Sequence, residues 1–153
     1  MTKTQLVTVS LERKIPFYDV DSMDIVWHGH YVKYFEDARC ELLDALDYNY
    51  QTMRDSGFGF PVVDLRIKYV RPALFNRTVR IEATLEEWEV RLKIAYRIVD
   101  ADTNEVLTKG YTVQVAVDLS SNEMCFAMPD VLAQKLAAYH KQQPTTPASE
   151  NPR

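Results

Sequence analysis

Apolar and polar residues recur with two different periods along the chain, and the change of period marks its elements. The run Leu6 to Tyr18, "LVTVSLERKIPFY", alternates early and is rich in β-formers, which predicts a long first strand. Pro16 lacks an N–H to give to a ladder, so that end belongs at an edge, a bulge or a strand exit. From His30 the period lengthens. Apolar side chains fall at Tyr31, Tyr34, Phe35, Ala38, Leu42, Ala45 and Leu46, the stripe of an amphipathic helix. Val32 and Leu43 add a second apolar flank, so the helix should be buried on more than one side. Its roughly 17 residues would span about 25 Å, enough to cross a small domain.

A shorter polar stretch, "YNYQTMRDS", leads to a loop marked by Gly57 and Gly59. Period-two alternation then returns in "FPVVDLRIKYV", ending at Arg71-Pro72, and in "TVRIEATLEEW", "RLKIAYRIVD" and "EVLTKGYTVQVAVD". "DADTNE" and "DLSSNE" read as turns, "EMCFAM" as a short last strand, and Pro129 opens a closing helix, "DVLAQKLAAYH". Strands joined in hairpin style form an antiparallel sheet. The long helix is the candidate to cover one face of it. The pattern therefore predicts an α+β domain, a curved antiparallel sheet of five to six strands wrapped around one central helix. The segment "VQVAV" keeps apolar or small residues at alternate positions, so the outer face is expected to be covered by oligomerisation.

Length and composition add bounds. With 153 residues, 46% of them apolar, the chain suits one domain, placed at residues 1–140. The Pro-, Ser- and Thr-rich stretch of 141–153 reads as a disordered tail. A net charge of −4 does not suit a nucleic-acid coat. No apolar run approaches a membrane span, and the N-terminus lacks the apolar block of a signal peptide. Cys40 and Cys125 have no motif spacing and read as buried, reduced thiols, so a cytoplasmic location is expected.

The chemistry is concentrated just before the long helix. Phe17 to Arg39, "FYDVDSMDIVWHGHYVKYFEDAR", brings together Asp19, Asp21, Asp24, His28, His30 and Trp27. Asp21 reads two ways, as a turn or capping residue or as a reacting carboxylate. A helix start supplies backbone N–H groups without intrahelical partners, suited to an oxyanion. Asp19 and Asp24 read as solvent, turn or capping residues. Two histidines at i, i+2 supply at most two metal ligands with no pattern for the others, so no metal is expected. Four glycines, none in phosphate-loop spacing, exclude a P-loop or dinucleotide fingerprint.

Asp19-Val20-Asp21, Ile25-Val26-Trp27-His28, Tyr31 and "YFEDAR" together resemble the hot-dog-fold acyl-CoA thioesterases of the 4-hydroxybenzoyl-CoA thioesterase type, which includes the Tol-Pal-associated enzymes. Tyr69-Val70-Arg71-Pro72-Ala73 and "EEWEVR" extend the likeness, which runs from Ser10 to about Asp118. The resemblance implies hydrolysis of acyl-CoA to acid and coenzyme A, with Asp21 as nucleophile or general base. The backbone N–H of His28 would polarise the carbonyl. It also implies a homodimer or homotetramer with the site at the subunit interface. No resident cofactor is implied, since coenzyme A arrives with the substrate. Trp27 and Tyr31 are candidates to touch the acyl group, or ordinary core. His30 is a candidate substrate contact, Arg71 and Arg91 (with Lys93 nearby) for coenzyme phosphates, and Asp64 for a further polar pocket group. A second oxyanion donor is expected within residues 60–64. Two departures stand out: Ser22-Met23-Asp24 where the family carries small residues and Gly, and His30 where many members have Asn. The first should make the pocket mouth bulkier and more acidic. The alternatives are an acyl-CoA or acyl-carrier binding protein without activity, and a hydratase or dehydratase on the same fold.

Overall fold

A computed structural model describes residues 7–143. The first strand, β1, covers Val7–Lys14 and stops short of the predicted Tyr18. Pro16 ends it, and Phe17–Asp19 turn into a single 3-10 turn. The long helix α1 spans His30–Ala45, followed by the short helix α2 at Tyr50–Asp55. Asn49 caps α2 by accepting the Thr52 N–H at 2.9 Å. Then come β2 (Phe58–Gly59), β3 (Val62–Tyr69), β4 (Thr78–Glu87), β5 (Leu92–Asp100) and β6 (Val106–Gln114). Two short strands, β7 (Val117–Asp118) and β8 (Glu123–Met124), precede helix α3 at Asp130–Gln142. Lys141 and Gln142 close α3 with Gln143 at its C-cap, and residues 144–153 of the tail read from the sequence lie outside the described residues.

The main sheet has five antiparallel strands in the order β1-β4-β5-β6-β3, and β2, β7 and β8 form a small second sheet. The predicted strand from Glu105 to Asp118 is thus two strands in two sheets. The break follows Gln114, whose side-chain amide turns inward and donates to the Phe60 carbonyl at 2.6 Å. Val113 and Ala116 of "VQVAV" are buried, so this segment is not the bare face the pattern suggested. Apolar exposure lies instead on β3, at the open edge of the sheet, where Val62, Val63, Leu65 and Tyr69 are all exposed.

The core lies between α1 and the concave face of the sheet. Val79, Ile81, Ala83 and Leu85 of β4 point inward with Leu92, Ile94, Tyr96 and Ile98 of β5. They meet Tyr34, Phe35, Ala38, Leu42 and Leu43 of α1. Each such large side chain contributes about 1.5–3 kcal/mol on burial. Phe35 stacks flat on Tyr96, 4.4 Å between centroids and 7° apart. This needs Gly110, directly opposite Tyr96 on β6, because a Cβ there would stand 2.6 Å from the Phe35 ring and 2.3 Å from the Arg66 carbonyl. Arg39 is buried on the second flank of α1, held by Glu36 and by the Tyr50 hydroxyl at 2.7 Å, which ties α2 to α1. Cys40 and Cys125 are free and only partly buried. Burial and neighbouring Glu36 raise the Cys40 thiol above its usual range, so it is a weak nucleophile.

Gly110→Ala should destabilise the domain by about 1–3 kcal/mol through overpacking of Phe35 against a backbone that cannot retreat. Urea unfolding checks this, and Gly59→Ala, where an added Cβ meets only the flexible Leu119 side chain at 3.2 Å, serves as a control for the loss of glycine itself.

Candidate active site

A cleft of about 320 Å³ opens where α1 begins and β3 ends. Asp21, Ile25, Val26, His28 and Tyr31 line one side, and Tyr69, Val70, Arg71 and Pro72 the other. Main-chain bonds stitch the two sides together. Val26 N–H donates to the Ala73 carbonyl at 2.9 Å, Ile25 bridges Leu74, and Phe75 N–H reaches the Asp24 carbonyl at 3.2 Å. The Tyr31 hydroxyl accepts the Ala73 N–H at 3.2 Å, and its ring meets Tyr69 edge-on at 5.1 Å. The Tyr69 hydroxyl in turn donates to the His28 carbonyl at 2.8 Å. Burial lifts both Tyr31 and Tyr69 above the usual phenol range, so both keep their protons near neutrality.

Asp21 occupies a tight turn rather than a strand end. Val20 bridges Val26, Asp21 N–H donates to Ile25 at 2.8 Å, and Asp24 N–H donates back to the Asp21 carbonyl at 3.0 Å. Carboxylate Oδ1 accepts the Met23 N–H at 2.8 Å, while Oδ2 has no hydrogen-bond partner among the described residues. The turn bond fixes the direction of the side chain, which lines the cleft. Asp24 has φ 63°, the left-handed conformation that glycine would favour and that Asp tolerates. Ser22, Met23 and Asp24 are exposed and do not line the cleft, so the bulkier segment leaves its mouth open.

Helix α1 begins without a side-chain cap: Gly29 holds the N-cap position. His30 N–H donates to the Trp27 carbonyl at 2.9 Å, whereas the N–H groups of His28 and Gly29 meet no acceptor among the described residues. His28, whose amide is unpartnered, therefore lines the same cleft as Asp21, next to the positive end of a 16-residue helix. Arg71 brings the cationic group. It is exposed and lies 3.5 Å from Glu105, a pairing loose enough to be exchanged for a phosphate at little cost.

The other sequence candidates lie outside this cleft. Trp27 is 47% exposed and lies over Gly29, where a Cβ would meet its ring at 2.2 Å. His30 lies on the far side of Trp27, 5.3 Å ring to ring, and faces Asp19. Asp64 and Arg91 sit together near the opposite end of the sheet. The Tyr111 hydroxyl is 3.5 Å from Asp64, and Arg91 pairs with Glu87 at 2.9 Å across the β4–β5 hairpin. Sequence reasoning missed Tyr69 as the tie to His28, although it stood inside a quoted motif. It also missed Asp19 as a buried residue. Among the described residues, no three His, Cys, Asp or Glu side chains gather as a metal site would require.

Residues 15–136 match the thioesterase-like superfamily. The chain belongs to that family. Among curated relatives, acyl-CoA thioester hydrolase YbgC of Escherichia coli O6:H1 is 26% identical over 69% of this chain and 78% of its own. Long-chain acyl-CoA thioesterase FadM of Escherichia coli K12 is 25% identical over 80% of this chain and 92% of its own. The fold superposes on Slr0204, a 1,4-dihydroxy-2-naphthoyl-CoA thioesterase from Synechocystis, with a TM-score of 0.77 at 20% identity, covering 86% of this chain and 96% of that one. The sheet-wrapped helix is thus the hot-dog fold.

Tyr69→Phe should remove one hydrogen bond that orients the His28 peptide, lowering thioesterase kcat/KM roughly fivefold, or about 1 kcal/mol. Steady-state assays compared with thermal melts separate this from a loss of fold.

Proposed function

We propose that the protein hydrolyses acyl-CoA thioesters. The observation that carries this reading is the Asp21 carboxylate, with one oxygen tied in a turn and the other unpartnered, in the same cleft as His28, whose amide is unpaired just before α1 begins. A thioester carbonyl placed between them receives hydrogen bonds from His28 and Gly29 as its oxygen gains charge. Asp21 Oδ2 either attacks the carbonyl carbon or takes a proton from the water that does. The C–S bond breaks, the sulfur leaves as coenzyme A thiolate, and the free acid follows directly or after hydrolysis of a mixed anhydride. Arg71 supports the phosphates of the coenzyme at the mouth. The acyl-CoA thioesterase activities of YbgC and FadM support the choice of acyl-CoA over other thioesters.

The assembly follows from the open edge. An eight-residue edge strand carrying Val63, Leu65 and Tyr69 in water is a template for another strand. Pairing with its own copy about a two-fold axis is antiparallel, so the Val62 end of one copy lies beside the Tyr69 end of the other. Asp64 and Arg91 of one subunit then approach the cleft of its partner. The two halves of the sequence-derived site come together across a dimer.

Asp21→Asn should lower kcat by about 10² to 10⁴-fold without lowering the melting temperature. Thiol release measured on short, long and aromatic acyl-CoAs checks it, and near-normal turnover on the best substrate refutes the assignment. Binding of acyl-CoA without release by the unaltered protein points to the binding-protein alternative. A Val63→Lys, Leu65→Lys double variant should run as a monomer in light scattering and lose activity. A dimer that persists and stays active places the interface elsewhere.

A further inference from the structure

Asp19 lies two residues before Asp21, outside the cleft, and is only 1% exposed. A carboxylate out of water needs partners for both oxygens. Oδ2 has one, the Tyr34 hydroxyl at 2.6 Å. Burial, and then this bond to Asp19, push the Tyr34 phenol far above its usual range, so it serves as a permanent donor. Oδ1 is buried with no hydrogen-bond partner. The basic group facing it is His30, whose Nε2 stands 3.9 Å away, just beyond hydrogen-bond reach.

The remaining groups around this cluster come from two other elements. Arg13 of β1 lies 5.3 Å over the Tyr34 ring but donates to Asp37 of α1 at 2.7 Å. Trp27 walls His30 on its other side, and its N–H donates to the Asp19 carbonyl at 3.0 Å. Asp19 therefore touches both arms of the turn that carries Asp21, through its main chain, and the first two turns of α1, through its side chain.

We propose that Asp19 is a positioning residue whose buried carboxylate, held by the Tyr34 hydroxyl and faced by the His30 ring, locks the segment 19–30 so that Asp21 keeps its place relative to the amides of His28 and Gly29. This rests on Asp21 being the reacting carboxylate. A side chain anchored to α1 through the Tyr34 hydroxyl, on a residue whose carbonyl also holds the Trp27 main-chain N–H, leaves the segment little room to shift.

The test combines steady-state kinetics with amide hydrogen exchange at one fixed pH, on the full chain and its Asp19→Asn and Tyr34→Phe variants. Asp19→Asn should lower kcat about 10- to 100-fold with KM within about twofold, because misplacement costs the reaction rather than binding. Tyr34→Phe removes the hydroxyl that holds Oδ2 and should lower kcat in the same sense. Exchange over residues 19–30 should quicken in both variants, while β4 and β5 stay unchanged. Unaltered kcat and exchange in both variants overturn the proposal. Should the unaltered protein release no thiol, the reading of Asp21 fails separately, and exchange decides the lock: equal protection with and without Asp19 refutes it. Should Asp19→Asn not fold, the kinetics and exchange of Tyr34→Phe decide it.

Discussion

Burial of α1 in the concave sheet is the constraint on which the rest depends. The helix is apolar on more than one side, and Phe35 lies flat on Tyr96 only because Gly110 leaves room. Once those rings are seated, the helix has no freedom to slide or turn on the sheet. Its first residues are then fixed at the exit of β3, where the chain has just left the ladder. A helix start cannot satisfy its own leading amides, so placing one at a cleft creates hydrogen-bond donors there without any dedicated side chain. The same packing brings Tyr31 to Ala73 and Tyr69, which closes the cleft wall.

Around that anchor the site is built largely from backbone. The turn that aims Asp21 is held by its own main chain and by Met23, and His28 is held through its carbonyl by Tyr69. Rigid peptide groups lose little on becoming ordered when a substrate binds, so a small cleft of this kind is preorganised at low entropic cost. The charged side chains near it behave differently. Arg71 and Glu105 are exposed and loosely paired, so their contact contributes little and either can change partner.

The candidate site was readable from the sequence only in part. Asp21, His28, Tyr31 and Arg71 meet in one cleft, and each stood in a quoted motif. Trp27 and His30 lie within two residues of His28 yet outside the cleft, because the chain is entering a helix and successive side chains leave it in different directions. Asp64 and Arg91 lie near the far end of the same sheet. Asp19 read as a solvent or turn residue because its partner, Tyr34, is fifteen positions away and meets it only after α1 has docked.

Periodicity in the sequence by itself determined the long helix, the antiparallel strands and their order along the chain, because each depends on repeats of two or 3.6 residues that one segment carries alone. It also placed an acid, histidines and a helix start side by side. Tertiary structure alone decided that β6 ends at Gln114, that "VQVAV" is covered while β3 is left open, and that Asp19 is buried. Those outcomes depend on what each side chain meets across the fold, and a contact between distant segments leaves no period in either one.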